Sequence, residues 1–413
     1  MQITRRLTSA IAATALTSTL ALSAATIAPA ATPSTSETTT TVASLNSWPL
    51  PDAVTTKTSG STTTRTEVYF SSGSPAAPDW RIVNHYARLV NSVPKGSTIR
   101  TTIHNTSASS TFAPFIAFQN ALNKYDTKAE RSEKISVMAN AEKVSKTEGL
   151  GEMLARHKTM KWCGTGEEGE LNSSCSTGGN DSLTMHTKFA LLGKAKDSTG
   201  RLQDWVVWIS TANLNRTSGA EMANSSVTIY GDEELFKGLA NNVWKPMYNK
   251  KAADLKVTVA DASSATVYPS PTSTDDILSA LKSYDLADTS KMKGCTIRVD
   301  QVVITRTTIA DQLVTLKKHG CDVRIRLGQK DELTSNVAKM FSDAKIPVKD
   351  STSHEKTIIV KARTSTSGDF RYFTFTGSQN LTPRGLKNDE LVIRLIGKPV
   401  HDAFAARFDS NWS

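Results

Sequence analysis

Two stretches of the chain carry the same short pattern of polar and apolar positions. MHTKFALL (185–192) and SHEKTIIV (353–360) each set a His and a Lys two residues apart at the head of an apolar, β-branched run. Alternation of that kind predicts a strand, with His186 and Lys188 on one face and His354 and Lys356 likewise. A polar loop follows each run (GKAKDSTGRLQD, KARTSTSGDF), then an aromatic and β-branched strand (WVVWIS, RYFTFT). These strands run into Ser210-Thr211-Ala212-Asn213-Leu214 and Gly377-Ser378-Gln379-Asn380-Leu381, so that His and Asn are separated by 27 residues in the first copy and 26 in the second.

The repetition extends beyond the hairpins. KGSTIRTTI (95–103) resembles KGCTIRVDQ (293–301), and the strand pattern ISVMAN (135–140) has a counterpart in DVRIRL (322–327), which follows the helical pattern IADQLVTLKKHG. Both halves close on Phe-x7-Trp, at Phe236 and Trp244 and at Phe404 and Trp412. Strands alternating with helical segments predict an α/β fold with a mixed sheet in each half. The offset between copies falls from 198 at the first of these strands to 187 at the second and 168 at the histidines. The first copy therefore carries about thirty extra residues, expected mainly in 141–183, as a surface loop that ends beside His186 and walls a cleft.

The opening residues add an expectation about location. MQITRRLTSAIAATALTSTLALSAATIAPA reads as a secretory signal peptide over 1–30, with Arg5 and Arg6 as its basic start and Ala28-Pro29-Ala30 as its cleavage site. Residues 31–47 are Ser/Thr-rich and are expected to be a disordered leader. The two repeated units are then assigned to 48–256 and 257–413, joined within 257–276. The net charge of +10 becomes +8 without the leader's two arginines, which favours anionic partners, phospholipid headgroups or nucleic acid. In an exported chain the four cysteines read as two local disulfides, Cys163 with Cys175 and Cys295 with Cys321, and their spacing gives no metal-binding pattern.

A phosphodiester repels nucleophiles by its negative charge, so a site that cleaves one needs cations for the nonbridging oxygens and a nucleophile able to bond phosphorus. Lys188 and Lys356 supply charge, Asn213, Asn380, Thr211 and Ser378 supply neutral donors, and two imidazoles supply a nucleophile and an acid/base. His85, His104, His157, His319 and His401 have no matching partners and are expected to be ordinary core or surface residues. Trp48, Trp80, Trp162, Trp205 and Trp208 are weighed as lipid-inserting aromatics, with Trp205 and Trp208 assigned to a core strand.

His-x-Lys followed by Gly-Ser-x-Asn, twice in one strand-rich chain, resembles the phospholipase D superfamily over residues 48 to 413. The resemblance implies two α-β-α sandwich domains packed about a pseudo-twofold axis, with His186 as nucleophile, His354 as acid/base, and no cofactor or metal. The superfamily's motif Asp, five residues after the Lys, is replaced by Gly193 and Lys361, a loss shared by the similar tyrosyl-DNA phosphodiesterases. Asn388 and Glu390 match the family's Asn-x-Glu, and Glu390 is the candidate for orienting a histidine. In the first copy Asn224 is aligned with Asn388, which puts Ser226 at the acid's position and leaves Glu221 as a substitute. The expected activity is a secreted, monomeric phospholipase D that touches membrane surfaces transiently. The alternatives are an extracellular nuclease on the same scaffold and a non-catalytic protein that binds an anionic ligand.

Overall fold

Each apolar run of the hairpins divides its residues between two cores, which is why the chain builds layers. In the computed structural model the described residues are 49–412 apart from 60–61, 165–172, 177–181, 251–264, 285–291, 329–332 and 364–368. The expected signal peptide, the leader, Trp48 and the junction near residue 257 lie outside the described residues. Fifteen strands are present among the described residues: β1 (Ala53–Ser59), β2 (Thr62–Ser72), β3 (Ile99–Ile103), β4 (Ile135–Asn140), β5 (Met160–Cys163), β6 (Phe189–Lys196), β7 (Leu202–Ser210), β8 (Ala223–Tyr230), β9 (Ala265–Ser270), β10 (Thr296–Gln301), β11 (Asp322–Leu327), β12 (Val348–Asp350), β13 (Lys356–Arg363), β14 (Phe370–Gly377) and β15 (Glu390–Ile396).

They form two mixed sheets with one topology. The first runs β2-β8-β7-β6-β3-β4-β5 with β1 added at its edge, and the second runs β9-β15-β14-β13-β10-β11-β12. In both, the last three strands are parallel and the other pairings antiparallel. The duplication read from the sequence is thus a duplication of strand order and direction, strand for strand.

Alternation decides what each face meets. On β6, Leu191 enters a core that draws on both sheets, whereas Ala190 and Leu192 pack under the helices Arg81–Ser92, Ala113–Leu122 and Gly149–Arg156. On β13, Ile359 enters the shared core, and Ile358 and Val360 face the helices Asp276–Lys282, Thr307–Lys318 and Ser335–Asp343. Each such fully buried Leu, Ile or Val contributes about 1.5–3 kcal/mol of hydrophobic free energy. Phe236 and Phe404, from the two Phe-x7-Trp endings, are both in the shared core, where Phe404 meets Phe70 edge-on at 4.9 Å.

The loop expected over 141–183 is narrower than the sequence reading. Gly149–Arg156 and β5 correspond in order to Ser335–Asp343 and β12 of the second half, so about twenty of the surplus residues fall in 164–183 and about eleven between β3 and β4. Both expected disulfides are present, Cys163–Cys175 and Cys295–Cys321. Trp208 is buried and Trp205 packs on Phe236, while Trp80 and Trp162 are half-buried, so none of these four is an exposed membrane anchor. Among the described residues no helix is long and apolar enough to cross a membrane.

Candidate active site

The two histidines do not lie in their strands, as alternation predicted, but in the extended approach to them. The reason is that their backbones pair with the opposite half. His186 N–H donates to Asp389 O at 2.9 Å and His354 N–H to Ala223 O at 2.8 Å. The rings follow the same crossed arrangement. His186 Nδ1 lies 3.0 and 2.9 Å from the Glu390 carboxylate oxygens, and His354 Nδ1 lies 2.9 Å from Asn224 Oδ1. Each imidazole is therefore oriented through Nδ1 by a residue of the other half, which leaves Nε2 for chemistry.

This geometry corrects the sequence alignment of the first copy. Thr211 N–H donates to Ser225 O and Ser378 N–H to Leu391 O, so Ser225 corresponds to Leu391 and Asn224 to Glu390. Asn224, not Ser226, stands in the acid's place. Glu221 is no substitute, since it pairs with Arg216 and has no hydrogen bond to either histidine. The amide of Asn224 is fixed end for end. Its Oδ1 also accepts from the Thr211 hydroxyl at 3.0 Å, and its Nδ2 donates to the carbonyls of Ser218 and Met222.

Thr211 and Ser378, expected to bind substrate, are buried and occupied elsewhere. Thr211 holds Asn224 and accepts from Ser225 N–H at 2.9 Å, and Ser378 accepts from Leu391 N–H at 3.0 Å and bonds the Glu390 carboxyl. They bracket the two orienting residues instead. Asn213 and Asn380 behave differently, for among the described residues each has a buried Oδ1 without a hydrogen-bond partner. Gly219 and Gly385 stand where a Cβ would run into the backbone carbonyls of Asn213 and Asn380, so both motif turns need glycine.

Lys188 Nζ donates to His186 O at 2.6 Å, and Lys356 Nζ donates to His354 O at 2.8 Å while lying 3.3 Å from that ring's Nδ1 and 3.4 Å from its Nε2. Burial depresses both ammonium groups, Lys188 well below its ordinary range and Lys356 to about 7, against the opposing pull of Glu390. Burial raises Glu390 to about 7, with the two lysines holding it down from there. Burial and the two lysines keep His186 and His354 well below the ordinary imidazole range. Lys356 and Glu390 thus exchange protons near neutrality, while both imidazoles favour their neutral form there.

A third histidine was missed. His104, at the end of β3, sets its ring edge-on to His186 at 4.6 Å and its Nδ1 at 2.8 Å from Met185 O. Its counterpart position in the second copy is Val302, so no repeated motif could have singled it out. Of the other histidines, His85 is buried at Thr228 Oγ1, 2.8 Å away, and His157 and His401 contact Arg131 and Asp402. Among the described residues no group of three or more His, Cys, Asp or Glu is placed to hold a metal ion.

The family model for the cardiolipin synthase, phospholipase D-like domain matches residues 289–412. No curated protein matches the chain. Among solved structures, polyphosphate kinase from Porphyromonas gingivalis is similar at 12% identity with a TM-score of 0.54, covering 83% of this chain and 46% of its own. The chain thus spans less than half the length of that relative, and the likeness is one of fold. Phosphatidylserine synthase from Haemophilus influenzae Rd KW20 is 11% identical over 82% of this chain and 83% of its own, with a TM-score of 0.47. A phospholipase D family member from Salmonella typhimurium is 25% identical over 36% of this chain and 93% of its own, with a TM-score of 0.28. Residues 289–412 thus belong to the phospholipase D superfamily by their family model, and the first half repeats the strand order, histidine, lysine and asparagine of that domain.

Proposed function

We propose that the protein is a secreted phospholipase D, cleaving the headgroup side of glycerophospholipids by a two-step transfer through His186. The observation that carries this reading is the crossed and unequal pairing of the histidines, Glu390 behind His186 and Asn224 behind His354. A carboxylate at Nδ1 raises the electron density at Nε2 and stabilises positive charge on the ring, which is what a nitrogen nucleophile gains on bonding phosphorus. An amide at Nδ1 fixes the tautomer without that stabilisation, so His354 releases a proton more readily. In the first step His186 Nε2 attacks phosphorus, the bond to the headgroup oxygen breaks, and His354, sharing a proton with adjacent Lys356, protonates that oxygen. In the second, His354 removes a proton from water or an alcohol, the new oxygen bonds phosphorus, and the P–N bond breaks. Lys188, Lys356, Asn213 and Asn380 meet the nonbridging oxygens.

The test is choline release from phosphatidylcholine vesicles by the mature protein in EDTA, beside His186→Ala and His354→Ala. Metal-independent release, abolished by either substitution, supports the reading. A nuclease is the second reading, favoured by the net charge and by Arg384 and Lys387 exposed beside Ser182 and Leu183, close along the chain to His186. Cleavage of DNA and none of lipid, falling steeply with salt, would put it first.

A further inference from the structure

The two half-sites differ in what stands behind their orienting residues. Asn224 is preceded by Ala223, which has no polar side chain. Glu390 is preceded by Asp389, whose fully buried carboxylate accepts from Cys175 N–H at 2.5 Å, the Ser174 hydroxyl at 3.1 Å and Ser176 N–H at 3.3 Å. These donors come from segment 173–176, which the Cys163–Cys175 disulfide ties to the end of β5. The segment also grips the approach to His186, with Met185 N–H on Ser173 O at 3.0 Å and Ser174 N–H on Leu183 O at 3.1 Å. Asp389 itself accepts His186 N–H through its carbonyl and donates to Thr184 O at 3.1 Å.

We propose that Asp389, clamped by the disulfide-tied segment 173–176, is a positioning residue that fixes the Glu390–His186 pair for attack on phosphorus. A buried carboxylate with three donors cannot swing without stranding all of them, so the backbone that carries both contacts to His186 is referenced to the disulfide. The opposite half-site has no equivalent, since the chain passes from β12 to His354 within 351–353 and Ala223 offers nothing to grip. The clamp thus stands at the half-site that holds the carboxylate partner. Its catalytic meaning rests on His186 being the nucleophile, as proposed above, whereas its effect on the ring does not.

The experiment compares Asp389→Asn and a Cys163→Ala/Cys175→Ala double variant with wild type. A Cys295→Ala/Cys321→Ala double variant serves as the control for general loss of stability. Isotope-labelled histidine NMR follows the titration of His186, and choline release gives kcat and KM. In the first two variants kcat should fall roughly ten- to hundredfold with KM nearly unchanged, and the His186 midpoint should fall further, because a Glu390 carboxylate no longer held at Nδ1 stabilises less positive charge on the ring. The control should keep the wild-type midpoint. An unchanged His186 midpoint in Asp389→Asn and in the Cys163/Cys175 double variant would overturn the clamp. So would a loss of kcat that only follows the folded fraction seen by circular dichroism. A wild type that releases no choline, with the His186 shift as expected, would remove the lipid reading and leave the clamp standing.

Discussion

Glu390→Gln isolates the charge behind His186 while keeping the size of the side chain. The Glu390 carboxylate oxygens lie 2.9 and 3.0 Å from His186 Nδ1. With charge centres about 4 Å apart and an effective dielectric constant of about 20, a full imidazolium and carboxylate attract by about 4 kcal/mol. Only charge that develops on the ring in the transition state counts toward rate. About half a unit of it gives about 2 kcal/mol, or about thirtyfold in kcat. The other half-site offers a neutral bond worth about 1 kcal/mol, so Asn224→Ala should cost about fivefold in kcat. Its stability should fall more noticeably, because the Ser218 and Met222 carbonyls lose their donor. Single-turnover choline release with detergent-quenched capture of the phosphatidyl-enzyme at mildly alkaline pH reads the first step directly. A loss for Asn224→Ala equal to or greater than that for Glu390→Gln would refute the assignment of His186 as the nucleophile.

Three further outcomes follow from the same geometry. Gly385→Ala drives a methyl group against the Asn380 carbonyl, so kcat/KM should drop about tenfold or more as that donor is displaced, and an unchanged value would place Asn380 outside the phosphate site. Because burial holds Lys356 at about 7, its positive charge is lost as pH rises through 7, and kcat/KM should decline above that point; in Lys356→Met that alkaline limb should disappear. Burial holds His85 at about 3 in the folded state against about 6.5 in the unfolded chain, so the unfolded state binds the extra proton between those values. The protein should therefore lose stability as pH falls from 6.5 toward 3, by up to about 5 kcal/mol from this group alone. Urea unfolding of His85→Phe should show a shallower acid limb, and a limb as steep as in wild type would exclude His85 as its source.

Much of the fold was legible because duplication wrote it twice. ISVMAN and DVRIRL become β4 and β11 residue for residue, and the two paired hairpins become β6–β7 and β13–β14. Repetition failed where the copies diverge. Asn224 could be aligned two ways against Asn388 and Glu390, and only the ladder between β7 and β8 fixes its register. His104 has Val302 as its counterpart and nothing in its local sequence ties it to His186 across 82 positions. The roles of Thr211 and Ser378 were misjudged because a hydroxyl next to a motif asparagine reads the same whether it faces a ligand or a neighbouring backbone. Both disulfides were legible from spacing, but what Cys163–Cys175 holds in place depends on a contact with Asp389, more than 200 residues away.

The crossing of the orienting residues has a consequence for ancestry. If two identical copies once met as separate chains, any change in the residue behind the histidine would have altered both imidazoles together. Fusion into one chain removed that constraint. One orienting position could remain an acid while the other became an amide, and the two imidazoles could specialise. The same crossing ties the halves together afterwards, because a half expressed alone would carry its own histidine but leave that histidine's partner on the missing half. Separately expressed halves should therefore be inactive alone and active when mixed, with a defect in one half's orienting residue felt at the other half's histidine.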